Sequence, residues 1–391
     1  MLRILRLHYI LLLVLFVVLN SCKEEPPTIT SNKASAAENE FFEDYDPSTR
    51  KWGYIDESAN LVIDNVYDDC RDFSEGLAAV SFEGRWGYID SGGNNVIPHE
   101  YKEAYKFENK IALVRTFANK WKFIDSKGKE ISENEYVSSS SPQHGLSVVT
   151  DNLRKGLINT KGDIILPLQY EQIKITDHPY IIAKENDLYG LLDIDGKSIL
   201  PFEFTKISFE STDIILCKKD NEYHFRSLKN LEIKSPNYTK AFPFTGDFTV
   251  VKKGSFKLID KNYKIVKELP FDQIRYGGEG HWLYKMVDLW GILDGKGNVI
   301  KEPNYPLLNR FSEGKLVYGI DDNSWGYLDN SGEILVEAQY PLVWDYKNGY
   351  ARYVGKYGIG FLDDLGNEKI QAKFIEVRDF NDGLARVQVY F

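Results

Sequence analysis

The chain has 391 residues, enough for two or three ordinary domains or for one long repeat array. It carries 25 Tyr, 22 Phe and 7 Trp against 2 Met and 14 Pro, a balance that favours pleated strands over helices. The formal charge of −10 and a pI near 5.3 present an acidic surface to any phosphate backbone, so no nucleic acid partner is expected.

The first element in chain order is a leader. Residues 1–9 carry Arg3 and Arg6 and no acid, and Ile10 to Leu19 is an unbroken run of ten apolar residues. Such a run falls short of the roughly 20 residues that span a bilayer and matches the core of an export signal. Leu19-Asn20-Ser21-Cys22 follows and resembles the lipobox of bacterial lipoproteins. The resemblance implies cleavage before Cys22, a diacylglycerol on its thiol and, as a rule, a fatty acyl chain such as palmitate on the new amino terminus. Two or more chains anchor a protein stably where one does not. Loss of residues 1–21 leaves 46 basic against 58 acidic side chains, a formal charge of −12. Lys23 is not the aspartate that retains enteric lipoproteins at the inner membrane, and Glu24 and Glu25 resemble surface-export tags. The expected address is therefore the outer membrane of a cell envelope, facing the periplasm or the surface. Residues 22–50 are polar, with Pro26 and Pro27, and read as the lipidated cysteine and a disordered tether with a reach of about 30 Å.

From residue 51 to residue 391 the sequence repeats. Taking Trp86 as an anchor, its counterparts are Trp52, Trp121, Lys155, Tyr189, Tyr223, Phe256, Trp290, Trp325 and Ile359, at spacings of 33 to 35 residues. The residue after the anchor is Gly in seven of the ten units, as in Gly53, Gly87 and Gly326. Four places after the anchor, eight units carry Asp and a ninth carries Asn159; seven places after it, seven carry Gly. Fifteen places after it all ten are aromatic: Tyr67, Tyr101, Tyr136, Tyr170, Phe204, Tyr238, Phe271, Tyr305, Tyr340 and Phe374. A further aromatic follows six residues later in six units, among them Phe73, Phe107 and Tyr346. Self-similarity at one period over this length marks a repeat architecture.

The local chemistry of one unit is plain. Trp-Gly-Tyr-Ile-Asp reads as a strand, and Asp-x-x-Gly turns the chain back because the carboxylate accepts turn N–H groups and Gly takes a positive φ. Asn95-Val96-Ile97 opens a second strand, and Leu77-Ala78-Ala79-Val80 is a third that leads through a tight turn into the next Trp-Gly. Each unit is thus a three-stranded meander of ~34 residues with a Tyr-containing connector. One unit cannot bury its rings alone, whereas ten stacked side by side can share a core. The fold class expected is all-β, a tandem array forming a curved, open or nearly closed solenoid, with a closed propeller-like ring as the alternative. In a closed ring Leu384 to Tyr390 would pair with Trp52 to Asp56 and leave no free edge.

These columns resemble the WG-repeat (KWG-repeat) family of bacterial proteins, on KWGYID at 51–56, RWGYID at 85–90 and SWGYLD at 324–329, with weaker copies KGLIN at 155–159 and YHFRS at 223–227. The resemblance implies a β-rich scaffold without shared catalytic residues. It is weakest from about 223 to 280, where two units lack the Gly.

Candidate sites are few. The only modification site expected is lipidation at Cys22. Trp52, Trp86, Trp121, Trp290 and Trp325, with Tyr67, Tyr101, Tyr170, Tyr305 and Tyr340, are structural anchors, because a residue type recurring in every unit makes a poor asymmetric active site. Asp193-Ile194-Asp195-Gly196 has the outline of a calcium loop, but turn chemistry explains every copy of the Asp column, and no Glu closes a twelve-residue loop. His144 and His178 share a phase, 23 residues after their anchors, without a Cys or carboxylate at ligand spacing. Cys70 and Cys217 lie in the first and fifth units and read as buried thiols. No hydrolase, nucleotide-binding or metalloprotease motif is present, so no enzyme, cofactor or metal is expected. The expected function is a lipid-anchored scaffold that binds a protein, peptide or glycan through side chains varying between units, with Trp282 and Trp344 either contact points or additional core. The alternative is an envelope hydrolase with its site in the divergent units between Ser208 and Gly280.

Overall fold

A computed structural model describes residues 50–131, 138–140, 143–151, 153–159, 161–211 and 213–388. The leader, Cys22, the tether and Tyr136 lie outside the described residues. The described residues form strands and turns, arranged as ten small antiparallel sheets, seven with four strands and three with three. Each sheet is one blade of a ring.

Blade two sets the pattern. Its strands are Asp69–Cys70, Leu77–Phe82, Arg85–Asp90 and Asn95–Tyr101, hydrogen-bonded in that order. The three strands expected from the sequence are the last three. The connector after Tyr67 supplies a fourth, because Asp69 and Cys70 pair with Ser81 and Val80. A blade therefore begins just after the all-aromatic position, not at the Trp-Gly. Blades three, six and ten have three strands, the last of which, Ala351–Gly355, Gly358–Leu362 and Glu368–Phe374, is edged by a single bridge from Val343 to Tyr353.

The ring closes. Blade one combines Glu376–Val377 and Leu384–Gln388 from one end of the repeat array with Trp52–Asp56 and Leu61–Tyr67 from the other. Trp52 pairs with Gln388, Gly53 with Val387, Tyr54 with Arg386, Ile55 with Ala385 and Asp56 with Leu384. Side chains lock the seam: Asn65 donates to the Val387 carbonyl at 2.9 Å, and Arg386 pairs with Asp72 and donates to the Cys70 carbonyl at 2.6 Å. The expected all-β tandem array is present, and of its two forms the closed ring replaces the open curve. The physical reason is that each terminal unit lacks the strand the other holds, and an unpaired edge is a liability that closure removes.

Packing explains the composition. Leu77, Ala79, Trp86, Tyr88, Ile97 and Tyr101 face blade three, where they meet Ala104, Phe107, Ala112, Val114 and Ile124. Ala78, Val80 and Ile89 point the other way, against Trp52, Tyr54, Ile63 and Tyr67 of blade one. Both faces of the sheet are covered, so Leu77–Ser81 is buried throughout rather than at alternate residues. The fourth strand, by contrast, alternates exposed and covered positions. The core is a chain of ten inter-blade clusters, not one continuous body.

The WG motif acts here. A Cβ on Gly87 would lie 2.7 Å from the Ile97 carbonyl oxygen, and one on Gly326 2.3 Å from that of Val336. Gly allows the fourth strand's backbone to close in, and a bulge in the pairing sits at this point: Trp86 opposes Tyr101 while Tyr88 opposes Ile97. Blade seven has Lys257 in place of the Gly, and there Phe256, Lys257 and Leu258 pair with Leu269, Glu268 and Lys267 in unbroken register. The Tyr of the motif ties neighbours together. Tyr54, Tyr88 and Tyr327 donate to the carbonyls of Arg71, Tyr105 and Trp344 in the next blade at 2.6, 2.7 and 2.6 Å.

Candidate functional site

The turn aspartates are structural. Asp90 Oδ1 accepts the N–H groups of Gly92 and Asn94 at 2.9 Å each, and Gly93 donates to the Asp90 carbonyl. Asp56, Asp125, Asp193, Asp260, Asp294, Asp329 and Asp363 do the same in their blades, and Asn159 does so with its amide oxygen. Hydrogen bonds from the Asn94 side chain and backbone hold the Asp90 carboxyl below its ordinary range.

A second set of carboxylates was not singled out in the sequence. Glu75 accepts the N–H groups of Asn109 and Lys110, Glu279 those of Glu313 and Gly314, and Glu313 those of Asn348 and Gly349. Each latches one blade's turn to the next. The signal was available, because Glu75, Glu279 and Glu313 sit 23 places after their anchors, in the phase of His144 and His178. His144 occupies such a turn at φ 51° and contacts Asp177 of the next blade at 2.9 Å, while His178 stacks on Phe209. No group of three or more His, Cys, Asp or Glu placed to hold a metal occurs among the described residues.

The remaining sequence candidates fall inside. Trp52, Trp86, Trp121, Tyr67, Tyr101, Tyr170 and Tyr305 are buried, and Trp290, Trp325 and Tyr340 are half-buried. Trp282 is fully buried against Phe242 and Tyr276, and is core rather than a contact point. Trp344 is half-buried, with the Arg352 guanidinium 4.7 Å from its ring centre. Cys70 and Cys217 are free and buried, and burial pushes each thiol up to about 12. In the divergent blades, burial pushes the Glu210 carboxyl up to about 7, with the Ser208 hydroxyl donating to it at 2.6 Å and Lys206 the charged group acting on it.

What differs from blade to blade is a row at one end of the sheets. In blade two, Asp69, Ser81, Trp86 and Tyr101 lie side by side across the four strands. The same positions are Glu103, Arg115 and Trp121 in blade three. In blade five they are Gln172, Lys184, Tyr189 and Phe204, and in blade six Lys206, Lys218, Tyr223 and Tyr238. Blade seven has Lys240, Lys252, Phe256 and Leu269, and blade eight Gln273, Lys285, Trp290 and Tyr305. The tandem repeat sets all these rows on one face of the ring. The second-strand cation covers the anchor ring in five blades: Arg115 over Trp121 at 5.3 Å, Lys184 over Tyr189 at 6.0 Å, Lys218 over Tyr223 at 5.2 Å, Lys252 over Phe256 at 4.7 Å and Lys285 over Trp290 at 5.9 Å.

Two clefts open between blades on this face. One of about 420 Å³ lies between blades five and six, lined by Lys174, Ile182, Tyr189 and Lys206 among others. The other, of about 460 Å³, lies between blades seven and eight, lined by Lys240, Phe242, Lys252, Ile274, Arg275 and Trp290 among others. Both have the size of small-ligand or side-chain pockets.

Among solved structures, a crystal structure of the eukaryotic initiation factor aligns at 11% identity and a TM-score of 0.49, covering 87% of this chain and 98% of that one. BamB from Moraxella catarrhalis aligns at 8% identity and a TM-score of 0.35, covering 82% and 96%. No curated protein matches the sequence. The family model for the WG containing repeat matches residues 52–86, 86–121, 156–189, 189–223, 290–323, 325–354 and 359–390, more than half of the chain. It passes over 224–289, where blades six and seven lack the Gly. With a closed ring of WG blades behind those matches, the chain belongs to the WG containing repeat family.

Proposed function

We propose that this protein is a non-catalytic binding scaffold of the cell envelope, held at the outer membrane by lipid on Cys22, and that the row face of its ring takes a protein, peptide or glycan partner. The observation that carries the reading is the contrast between positions. The Gly, Asp and Tyr of the repeat each have a backbone task in blade after blade. The row positions keep an aromatic anchor in eight of the ten blades and change their charge around the ring. Variation on a constant frame is how repeat proteins build recognition surfaces. A hydrolase is the second reading, and Glu210 is the one observation that favours it, as a carboxyl raised by burial in a divergent blade.

The test uses the full-length chain in a Gram-negative host. Wild type sediments with membranes and Cys22→Ala appears in the soluble fraction. An envelope partner co-purifies with the detergent-solubilised wild type and is lost when row residues are changed, but is kept when turn aspartates such as Asp90 are changed. Turnover of envelope glycan that Glu210→Gln abolishes would replace this reading with the hydrolase.

A further inference from the structure

The rows are charged unevenly. Where blade three sets Glu103 opposite Arg115, the two pair at 2.7 Å, so its row is neutralised internally. Blade five's Lys184 is held by Glu171 at 3.3 Å and Asp187 at 2.6 Å, and blade eight's Lys285 faces Asp288 at 3.6 Å. Blades six and seven depart from this. Lys206 stands directly opposite Lys218, and Lys240 directly opposite Lys252. Directly opposed residues on neighbouring antiparallel strands have Cβ atoms about 5 Å apart, and like charges there destabilise a sheet. Among the described residues, none of the four lysines has a carboxylate within ion-pairing distance. The acids around them are engaged or set apart: Glu203 pairs with Lys219, Asp272 accepts the Val287 N–H, and Glu210 takes the Ser208 hydroxyl further along its strand. Two adjacent blades of an acidic protein thus carry two lysine pairs without a salt bridge, Lys206 sharing only a longer-range attraction with Glu210.

From this we propose that the row face of blades six and seven, with the cleft between blades seven and eight, binds an extended acidic peptide segment in which carboxylate side chains alternate with apolar ones. The inference rests on the binding-scaffold reading above and names its site and partner class. Two lysines directly opposed on neighbouring strands can bring both ammonium groups to one carboxylate. Next to them the cleft sets Ala241, Phe242 and Ile274 beside Lys240, Lys252 and Arg275, so an apolar side chain enters where its neighbours' charges are met. Arg275 is already fixed, its guanidinium 4.8 Å from the Trp290 ring centre and bonded to the Leu308 carbonyl. A peptide suits the face better than a glycan, because ammonium groups already lie over the anchor rings and leave no bare platform on which a sugar stacks. A nucleic acid fits less well, because elsewhere on the row face blades one to three carry Glu376, Asp69 and Glu103 as their first-strand row residues.

The detergent-solubilised full-length protein is titrated with a fluorescent synthetic peptide of alternating Glu and Leu, and in parallel with labelled oligogalacturonate. Two variants remove one pair each, Lys206→Gln with Lys218→Gln and Lys240→Gln with Lys252→Gln. A third, Lys127→Gln with Lys296→Gln, makes the same change of charge in exposed turns at the opposite end of the sheets. Thermal melts verify that all three fold. Wild type binds the peptide, each pair variant raises its Kd at least about tenfold, as expected when charge-assisted contacts are lost, and the turn variant binds as wild type does. An equal loss in the turn variant overturns the proposal in favour of diffuse attraction. Oligogalacturonate binding that the pair variants lose, with no peptide binding, reassigns the face to an acidic glycan. Binding of neither probe sinks this inference alone if envelope capture by wild type persists, and the scaffold reading as well if capture fails.

Discussion

At the residue scale, the Trp-Gly pair works through what the glycine lacks. Its neighbour across the hairpin is backbone, and backbone 2.3 Å from the place a methyl carbon would take cannot rotate away as a side chain can. Gly326→Ala is therefore expected to cost about 1–3 kcal/mol, the range of overpacked interiors, read as a lower midpoint in urea with the ring still closed. Lys257 shows how a blade manages without the glycine: the bulge at that position disappears, leaving only the shift between Leu258 and Ile259, and a Lys257–Glu268 ion pair spans the two strands. The sequence columns place a Gly after the anchor in seven of the ten units but do not say whether a ring or a backbone approaches it. Spacing along one chain cannot separate the two, because the answer depends on which strand the bulge brings near.

At the element scale, the repeating object is the contact between blades. The motif tyrosine reaches across it: Tyr88 is fully buried, packs at a tilt against Phe107 with ring centres 4.9 Å apart, and ends on a neighbouring carbonyl. Tyr88→Phe keeps the ring and leaves that carbonyl without its donor. The expected loss is about 1–2 kcal/mol, with hydrogen exchange rising first along Tyr105 and its neighbours. A three-strand unit was legible in the alternation of Leu-Ala-Ala-Val, Trp-Gly-Tyr and Asn-Val-Ile. The first strand of the blade was not, because Asp69–Cys70 is two residues long and carries no period of its own; only pairing with Ser81 and Val80 makes it a strand. The lysine row was hidden for a related reason. Its members lie 12 residues apart within a unit, as Lys206 and Lys218 do, and become neighbours only through the register of two strands.

At the scale of the whole molecule, the seam in blade one holds both ends of the array. Deleting residues 384–391 removes the strand that pairs with Trp52–Asp56 and uncovers that strand's edge. The shortened chain is expected to melt earlier and to elute as oligomers in size-exclusion chromatography, since an open edge recruits another chain; a monomer of unchanged melting temperature would show that the seam contributes little. Complementary termini were visible in the sequence as a missing strand at each end, but the choice between ring and open array was not. It depends on the angle turned per blade, a sum over ten interfaces that no single unit reveals. The seam also imposes an order on biosynthesis. The strand holding Trp52 leaves the ribosome among the first of the repeats, pairs with Leu61–Tyr67, and waits with its other edge open until Leu384–Gln388 has been translated. Nine interfaces can form before it is satisfied, so the slowest and most vulnerable moment in the life of this protein is its final ring-closing step.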